Sequence, residues 1–370
     1  MTIKIIKIIK SILSGASLLL LAACATKAPP DAEPVQPRTA VIQPARPAER
    51  VPAPAPPVLS ATDRQIATLR SWVTQHDRLY AIAAPLLINN TALCKRQARS
   101  LAGFTAKTRY SYSKEFIGAA QAAFGLGEQL RVMNVLPGSG AARSGLRQGD
   151  VLLAVQDKPM PMGPNAERDA AAVVGSAMQD RASLNLTVLR DGARLAVEVP
   201  LTRACAFAIE LGNADYVNSY ADGQQVMITR GMLEFARSDE EVAYVLAKEI
   251  AHASLIQGPR PAMRNTINSL RLFRDSDGRP GADAFKPALK PYSPVLDSTA
   301  DKVALYMLAN AGYNIDNVLG FWKRLAGQYP ATVRDSHTAL HPATAFRFSV
   351  ISAVVPAVKS KQANSLPLVP

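Results

Sequence analysis

Hydrophobic residues change their spacing twice along this chain, and the changes divide it into three regions. Between 59 and 117 they recur at helical spacing, as at Ile66 and Leu69, which predicts a leading helical segment. From 118 to 204, short apolar runs alternate with turns rich in Gly, Pro and Asp, which predicts a small, mainly β module. From 205 to 356 the helical spacing returns. The pattern predicts an α+β fold in which the β module is inserted after the leading helical segment.

The β module contains four candidate strands. They lie at 130–135, 151–155, 184–189 and 195–199. The last two read as a hairpin, because Asp191-Gly192 between them is a favoured two-residue turn.

One helix of the third region has a well-marked start. Ser238 can cap it, and Glu241 three positions later completes a capping box. The predicted helix carries Glu249 and His252, and a short strand at 226–229 precedes it. We expect this strand to be an edge that can pair with extended peptide.

The first 23 residues have the pattern of a signal peptide. Three lysines precede an apolar run at 14–21 that is too short to span a bilayer, and small residues lead to Cys24. This end resembles the lipobox of bacterial lipoproteins, which implies lipidation of Cys24 and anchoring to a membrane. Ala25, rather than aspartate, implies the outer membrane, facing the periplasm. The alternative is an ordinary secretory signal with an incidental cysteine.

Composition adds a tether and excludes one class of partner. Residues 24–58 are dominated by Pro and Ala, which favours extended polyproline geometry and cannot bury a core. Removal of residues 1–23 lowers the formal charge from +13 to +10. The basic residues are scattered, however, which indicates a solvated basic surface and not a nucleic-acid site. The segment 357–370 is interpreted as a tail without a readable role.

The chain has three cysteines, and two remain when Cys24 is lipidated. Cys94 and Cys205 lie on either side of the β module, and neither has the spacing of a CxxC or metal motif. An even pair in an oxidising compartment is typical of a disulfide. We therefore predict a Cys94–Cys205 bridge.

The β module carries a family signature. The predicted strand at 130–135 is followed by PGSGAARSGLRQGD and then VLLAVQDKPM, and this order resembles a PDZ domain of the bacterial HtrA-like kind. The resemblance implies that a peptide adds as an extra strand while backbone N–H groups of a loop capture its C-terminal carboxylate. The loop that matches consists of Phe124, Gly125, Leu126 and Gly127. The alternative is a degenerate PDZ domain used only for packing.

The third region resembles metallopeptidase family 48, the HtpX- and BepA-like gluzincins. The resemblance rests on residues 221–255, on the run from Leu296 to Tyr313, and on the late motif His341-Pro342 with Arg347. It implies a mainly helical gluzincin-type domain. It also implies a zinc site in which two histidines of H-E-x-x-H and a glutamate from a second helix bind the metal and the intervening glutamate activates water.

Two of those positions depart from the family pattern. Glu249 and His252 are kept, but Lys248 replaces the first histidine and Asp297 replaces the third-ligand glutamate. Deprotonating a lysine of pKa about 10.4 at pH 7 costs about 4.6 kcal/mol, which weakens metal binding more than a thousandfold. Our hypothesis is that the Lys248 ammonium fills the zinc position and pairs with Glu249 and Asp297.

A nearby histidine offers a different outcome. His337 or His341 could supply the missing imidazole, although His341 beside Pro342 is equally explained as loop structure, and His337 matches no family motif.

Two functions follow from these expectations. The first is a binding protein with a degenerate KExxH site and no cofactor, which captures unfolded or C-terminal peptides of envelope proteins through the PDZ loop and the peptidase groove. The second is an active zinc endopeptidase of envelope quality control, with Glu249 as the base and His252 and Asp297 among the ligands. The loop at 258–293 is interpreted as a lid over the cleft.

Overall fold

The computed structural model describes residues 60–256, 258, 260–271 and 289–370, so the predicted signal peptide, Cys24, the tether and half of the predicted lid lie outside the described residues. The helices are α1 Ala61–Ile88, α2 Ile117–Phe124, α3 Gly140–Arg143, α4 Ala166–Ala177, α5 Arg230–Phe235, α6 Asp239–Leu255, α7 Pro261–Ser269, α8 Pro294–Asn310, α9 Val318–Gln328, α10 His337–Leu340 and α11 Ala345–Ala363. In the described part of the chain, no helix combines the length and the apolar character needed to cross a membrane.

The strands belong to three sheets. They are β1 Ala98–Leu101, β2 Phe104–Lys107, β3 Arg131–Val135, β4 Val151–Val155, β5 Lys158–Pro159, β6 Ser183–Arg190, β7 Ala193–Pro200, β8 Thr202–Cys205, β9 Ala208–Gly212, β10 Ser219–Ala221 and β11 Gln225–Thr229. The fold is α+β, as the sequence predicts.

The largest sheet has the order β2-β3-β4-β6-β7, with β5 paired to β4. The four predicted strands correspond to β3, β4, β6 and β7, and the predicted hairpin turn forms at Asp191 and Gly192, both with positive φ. The sequence pattern missed β2, which pairs antiparallel with β3. The β module therefore begins before the predicted boundary at residue 118, inside the segment predicted to be helical.

A second sheet supports the α6 helix. Its order is β10-β11-β9, with β11 antiparallel to β10 and parallel to β9. The predicted strand at 226–229 forms within β11, but β11 is flanked on both sides. The expectation that it is an open edge is therefore wrong. β10 is the edge strand on the α6 side.

The inserted β module packs against α1, and a short ladder and one covalent bond also join it to the rest of the protein. β1 pairs antiparallel with β8, and the disulfide between Cys94 and Cys205 lies directly beside this ladder. Both cysteines are buried with α1 and α6 in the same hydrophobic core. The structure confirms the predicted bridge and the predicted insertion.

The C-terminal segment is part of the fold. α11 continues to Ala363, past the predicted boundary at 356, and Val358 is fully buried. The side chain of Asn310 donates a hydrogen bond to the backbone oxygen of Leu368. The interpretation of 357–370 as a tail is therefore corrected, because a buried apolar face carries the helix beyond the predicted end.

Candidate functional site

Eight polar side chains from four elements meet in the interior of the helical region. Each of them exposes 2% or less of its surface. They are Lys248, Glu249 and His252 of α6, Asp297 and Asp301 of α8, His337 and His341 from α10 and its C-cap, and Arg347 of α11.

Local capping fixes the two helices that carry most of this cluster. The side chain of Ser238 caps α6 by accepting from the backbone N–H of Glu241, and Ser293 caps α8 in the same way from Leu296. Arg324 clamps the Glu241 carboxylate with two hydrogen bonds of 2.8 and 2.6 Å. The starts of both helices are therefore set by their own sequence.

Lys248 is bound by three acceptors. Its Nζ lies 2.9 Å from Asp297 Oδ1, 2.7 Å from Asp301 Oδ1 and 3.4 Å from the backbone oxygen of Asp297. Three acceptors match the three N–H groups of an ammonium. The expected pairing with Asp297 is found, but the second carboxylate is Asp301 and not Glu249, because Asp301 lies one turn further along the same face of α8.

Asp297 Oδ1 also faces two imidazoles. His252 Nε2 and His341 Nδ1 each lie 2.8 Å from it. A carboxylate oxygen only accepts, so both ring nitrogens carry a hydrogen and donate to it. Together with Lys248, three donors converge on this one oxygen atom.

Glu249 has its own set of contacts. Ser219 of β10 donates a hydrogen bond of 2.9 Å to Glu249 Oε1, and His341 Nε2 lies 3.2 Å from the same oxygen. Burial would raise the pKa of Glu249, but His341, His252 and Lys248 outweigh it and hold the pKa below its usual value. Glu249 is therefore ionised at neutral pH.

The three histidines differ in their electrostatics. Burial lowers the pKa of His252 to about 4 and holds that of His337 well below its ordinary value. Burial acts in the same direction on His341, but the carboxylates of Glu249 and Asp297 raise its pKa above the ordinary value. His341 is therefore the one of the three histidines whose surroundings favour the protonated ring.

Arg347 connects the late motif to α8. Its Nε lies 2.6 Å from Asp301 Oδ2, its Nη2 lies 3.1 Å from Asp301 Oδ1, and its Nη1 donates to the backbone oxygen of His341 at 3.2 Å. The structure thus brings the predicted residues Arg347 and His341 to the cluster. Arg347 positions the His341 loop and neutralises Asp301.

Aromatic rings cover the cluster. Tyr292 stacks on His252 with 4.2 Å between ring centroids, and Trp322 stacks on His337 at 5.1 Å. The edge strand β10 is itself buried, and the Tyr292 hydroxyl reaches the backbone oxygen of Ala221 at its end. In this conformation Glu249 has no exposed surface.

The predicted peptide-binding loop lies between α2 and β3. Phe124 ends α2, Gly125 is its left-handed C-cap, Leu126 is fully buried, and the backbone oxygen of Gly127 accepts from Arg109 N–H. The strand that follows, β3, is flanked by β2 and β4. A peptide cannot add to a strand with two neighbours, so it does not pair with β3, and the loop at 124–127 stays a prediction.

β2 is one of the two edge strands of the β module, and β7 is the other. Gly103, directly before it, has φ +79°, and its backbone oxygen accepts from Leu136 N–H of the turn after β3. Lys107 at the end of β2 reaches Glu167 of α4 across 3.9 Å, so one end of the strand contacts this helix. An edge strand after a glycine turn and beside a helix has the elements that strand addition requires.

Comparison with known proteins agrees with this division of the chain. Residues 183–355 match the family model of peptidase family M48, and residues 103–201 match that of a PDZ domain. The chain joins a PDZ domain to an M48 peptidase domain. The PDZ match begins at Gly103 and so includes β2.

Two solved structures are similar to part of this chain. The HtrA3 PDZ domain bound to a phage-derived ligand (FGRWV) is 17% identical over 29% of this chain and 88% of its own, with a TM-score of 0.22. The HtrA-type protease AlgW with decapeptide is 22% identical over 29% of this chain and 30% of its own, with a TM-score of 0.21. No curated protein matches this chain.

M48 peptidases are zinc enzymes. His252, Asp297 and His341 each offer a possible ligand atom within 4.8 Å of the others, but the family's first ligand position holds a lysine and not an imidazole. Position 248 holds an ammonium between two carboxylates. His252 presents Nε2–H and not a lone pair to Asp297, and Asp297 Oδ1 already accepts from three donors. A metal requires deprotonated ligand atoms with free lone pairs.

The sequence left three residues of the M48 site unassigned. Asp301 stands in the quoted third-ligand motif, and its spacing of four from Asp297 could have revealed it. His337 has the same spacing from His341. Ser219 gave no signal, because strand order places it beside Glu249.

Proposed function

We propose that this protein is a lipid-anchored envelope protein in which the PDZ domain captures extended or C-terminal peptide segments and the M48 domain does not hydrolyse them. The proposal depends on one observation. Three donors saturate Asp297 Oδ1, and one of them is the ammonium that stands at the first ligand position of the family. Without metal at that position, Glu249 has no bound water to activate.

The geometry of β2 supports the binding half of the proposal. β2 and β7 are the outer strands of the PDZ sheet, and each follows a glycine with positive φ, but Lys107 of β2 also reaches Glu167 of α4. A peptide that pairs with β2 gains main-chain hydrogen bonds whatever its sequence, which suits a protein that binds many unfolded clients.

Hydrogen exchange tests the binding site. Peptides ending in an apolar residue with a free carboxylate are expected to slow amide exchange in residues 104–107, because a paired strand protects edge amides. The opposite edge, β7, is the matched control and should not change. Protection at 124–130 instead would return the site to the loop predicted from sequence. The same peptide with an amidated C-terminus reports how much the carboxylate contributes.

The same samples separate binding from proteolysis. We expect an unfolded substrate to remain intact during long incubation with the protein. Cleavage that is abolished both by a chelator and by Glu249→Gln would establish the zinc endopeptidase, the alternative function.

The lipid anchor is supported by the sequence around Cys24 and by the disulfide, which is typical of an oxidising compartment. The expected result is incorporation of labelled palmitate into the wild-type chain and none into Cys24→Ser. Equal labelling of both chains would contradict the anchor and leave the peptide-binding proposal intact.

A further inference from the structure

Five buried side-chain atoms of the cluster have no hydrogen-bond partner in the described part of the chain, and two of them, His252 Nδ1 and Asp297 Oδ2, belong to the family's ligand residues. The other three belong to residues that could hold one ion together. These three atoms are Glu249 Oε2, His337 Nε2 and His341 Nε2, and their residues expose 1% or less of their surface. An unsatisfied buried polar atom costs about 1 to 3 kcal/mol, so three of them in one place call for a common explanation.

We propose that Glu249, His337 and His341 form a divalent metal site, displaced from the one the M48 family uses, that takes a borderline cation such as Zn²⁺. Two imidazoles and one carboxylate are a ligand set that zinc accepts. It differs from the family's set, because the carboxylate comes from α6 and both imidazoles come from α10 and its C-cap.

The distances between the three side chains suit one ion. His341 Nε2 lies 3.2 Å and His337 Nε2 lies 3.9 Å from Glu249 Oε1, and each residue offers a ligand atom within 4.8 Å of the others. Ligands of a tetrahedral zinc with bonds of about 2.0 to 2.2 Å stand roughly 3.3 to 3.5 Å apart. The two rings, now stacked 4.3 Å apart, need to tilt until their Nε2 lone pairs converge.

Neighbouring groups already orient two of the three ligands. Asp297 accepts from His341 Nδ1 at 2.8 Å, so the Nδ1 hydrogen is held there and Nε2 is the nitrogen that gives up its hydrogen when a metal binds. Ser219 donates to Glu249 Oε1 and leaves Oε2 for a cation. A carboxylate that holds a histidine by its far nitrogen is the usual support of a metal-bound imidazole.

The charges of the cluster favour a cation at this point and not at the family's position. Lys248 and Arg347 both contact Asp297 and Asp301, so these two carboxylates are neutralised by the two side-chain cations. Glu249 is the remaining carboxylate of the cluster, and its direct contacts are Ser219, His337 and His341. A metal bound there would tie α10 to α6 and use Glu249 as a ligand, which removes it as a base.

Metal titration with matched histidine variants tests the site. Zn²⁺ is added to the purified chain, and binding is followed by calorimetry and by metal analysis after gel filtration. We expect one zinc per chain in the wild type and in His252→Gln, and at least a hundredfold weaker binding in His337→Gln and in Glu249→Gln. His252 is the control because it is equally buried in the same cluster and is a ligand of the family's site.

The outcomes separate this site from the family's site. Loss of zinc in His252→Gln with retention in His337→Gln would place the metal at the family's position and overturn the proposal, as would a wild type that binds no zinc. Should His337→Gln not fold, the visible spectrum of the Co²⁺-loaded wild type decides, because four-coordinate binding gives intense bands and no site gives none. Protection of the β2 amides by peptide is measured in the same variants, so the proposed peptide binding is tested separately from zinc binding.

Discussion

Replacing Lys248 with methionine is expected to lower the free energy of unfolding at pH 7 by about 3 to 5 kcal/mol. Methionine matches the length of lysine, so the loss comes from charge. Asp297 and Asp301 would stay buried, and Arg347 would be the one side-chain cation left in contact with both. Urea unfolding followed by circular dichroism gives the difference. Removing Asp301 as well, in Lys248→Met/Asp301→Asn, should recover part of the loss.

The same variant makes a prediction about pH. Burial raises the pKa of Asp297, but Lys248 and His341 outweigh it and hold the pKa well below its ordinary value. Without Lys248 the folded state takes up a proton more readily, so the deficit of the variant should shrink as the pH falls from 7 towards 4. Lys359→Met is the control, because Lys359 pairs with Asp316 at the exposed surface and should change stability by less than about 1 kcal/mol. If Lys248→Met and Lys359→Met change the free energy of unfolding by the same amount, the ion pairs of Lys248 contribute no more to stability than a pair at the exposed surface.

Short-range patterns account for the parts of the fold that the sequence predicts. The capped start of α6, the Asp191-Gly192 hairpin and the strands β3, β4, β6 and β7 depend on residues within a few positions of one another. The errors concern strand order. β2 is four residues long, and whether β3 or β11 has a free edge is decided by partners distant in the chain. Sequence spacing carries no information about those partners.

In the candidate site too, short motifs predict which residues meet, but they do not predict contacts that depend on the packing of distant helices. Lys248, Glu249, His252 and Asp297 are adjacent in space as their motifs imply. Pairing of the ammonium with Asp301 instead of Glu249 depends on how far α8 projects past α6, which no motif encodes. His337 was left without a role because it has no family match, although its spacing of four from His341 places both rings on one side of α10.

Removal of the disulfide is expected to destabilise the protein by an amount that reports how its two domains unfold. Cys94 and Cys205 are 111 residues apart. If the whole loop unfolds, the chain-entropy model gives a loss of about 5 kcal/mol. The PDZ match at 103–201 occupies 99 of those positions. If this domain stays folded while the rest unfolds, a flexible loop of about 12 residues remains, and the loss is about 3 kcal/mol.

A double variant, Cys94→Ala with Cys205→Ala, allows the comparison without placing polar atoms at two buried positions. Urea unfolding is followed by exchange-protected amides in β6 and β11, which report the PDZ sheet and the M48 sheet separately. A loss of about 3 kcal/mol in the free energy of unfolding should be accompanied by two separate urea transitions, one for each sheet. A loss of about 5 kcal/mol should be accompanied by a single transition. Treating the wild type with a thiol should reproduce the shift, and the double variant should not respond to it. A loss of stability below 1 kcal/mol would mean that the disulfide does not reduce the conformational freedom of the unfolded chain. The β1–β8 ladder would then have to persist in the unfolded ensemble and hold the two domains together without the covalent bond.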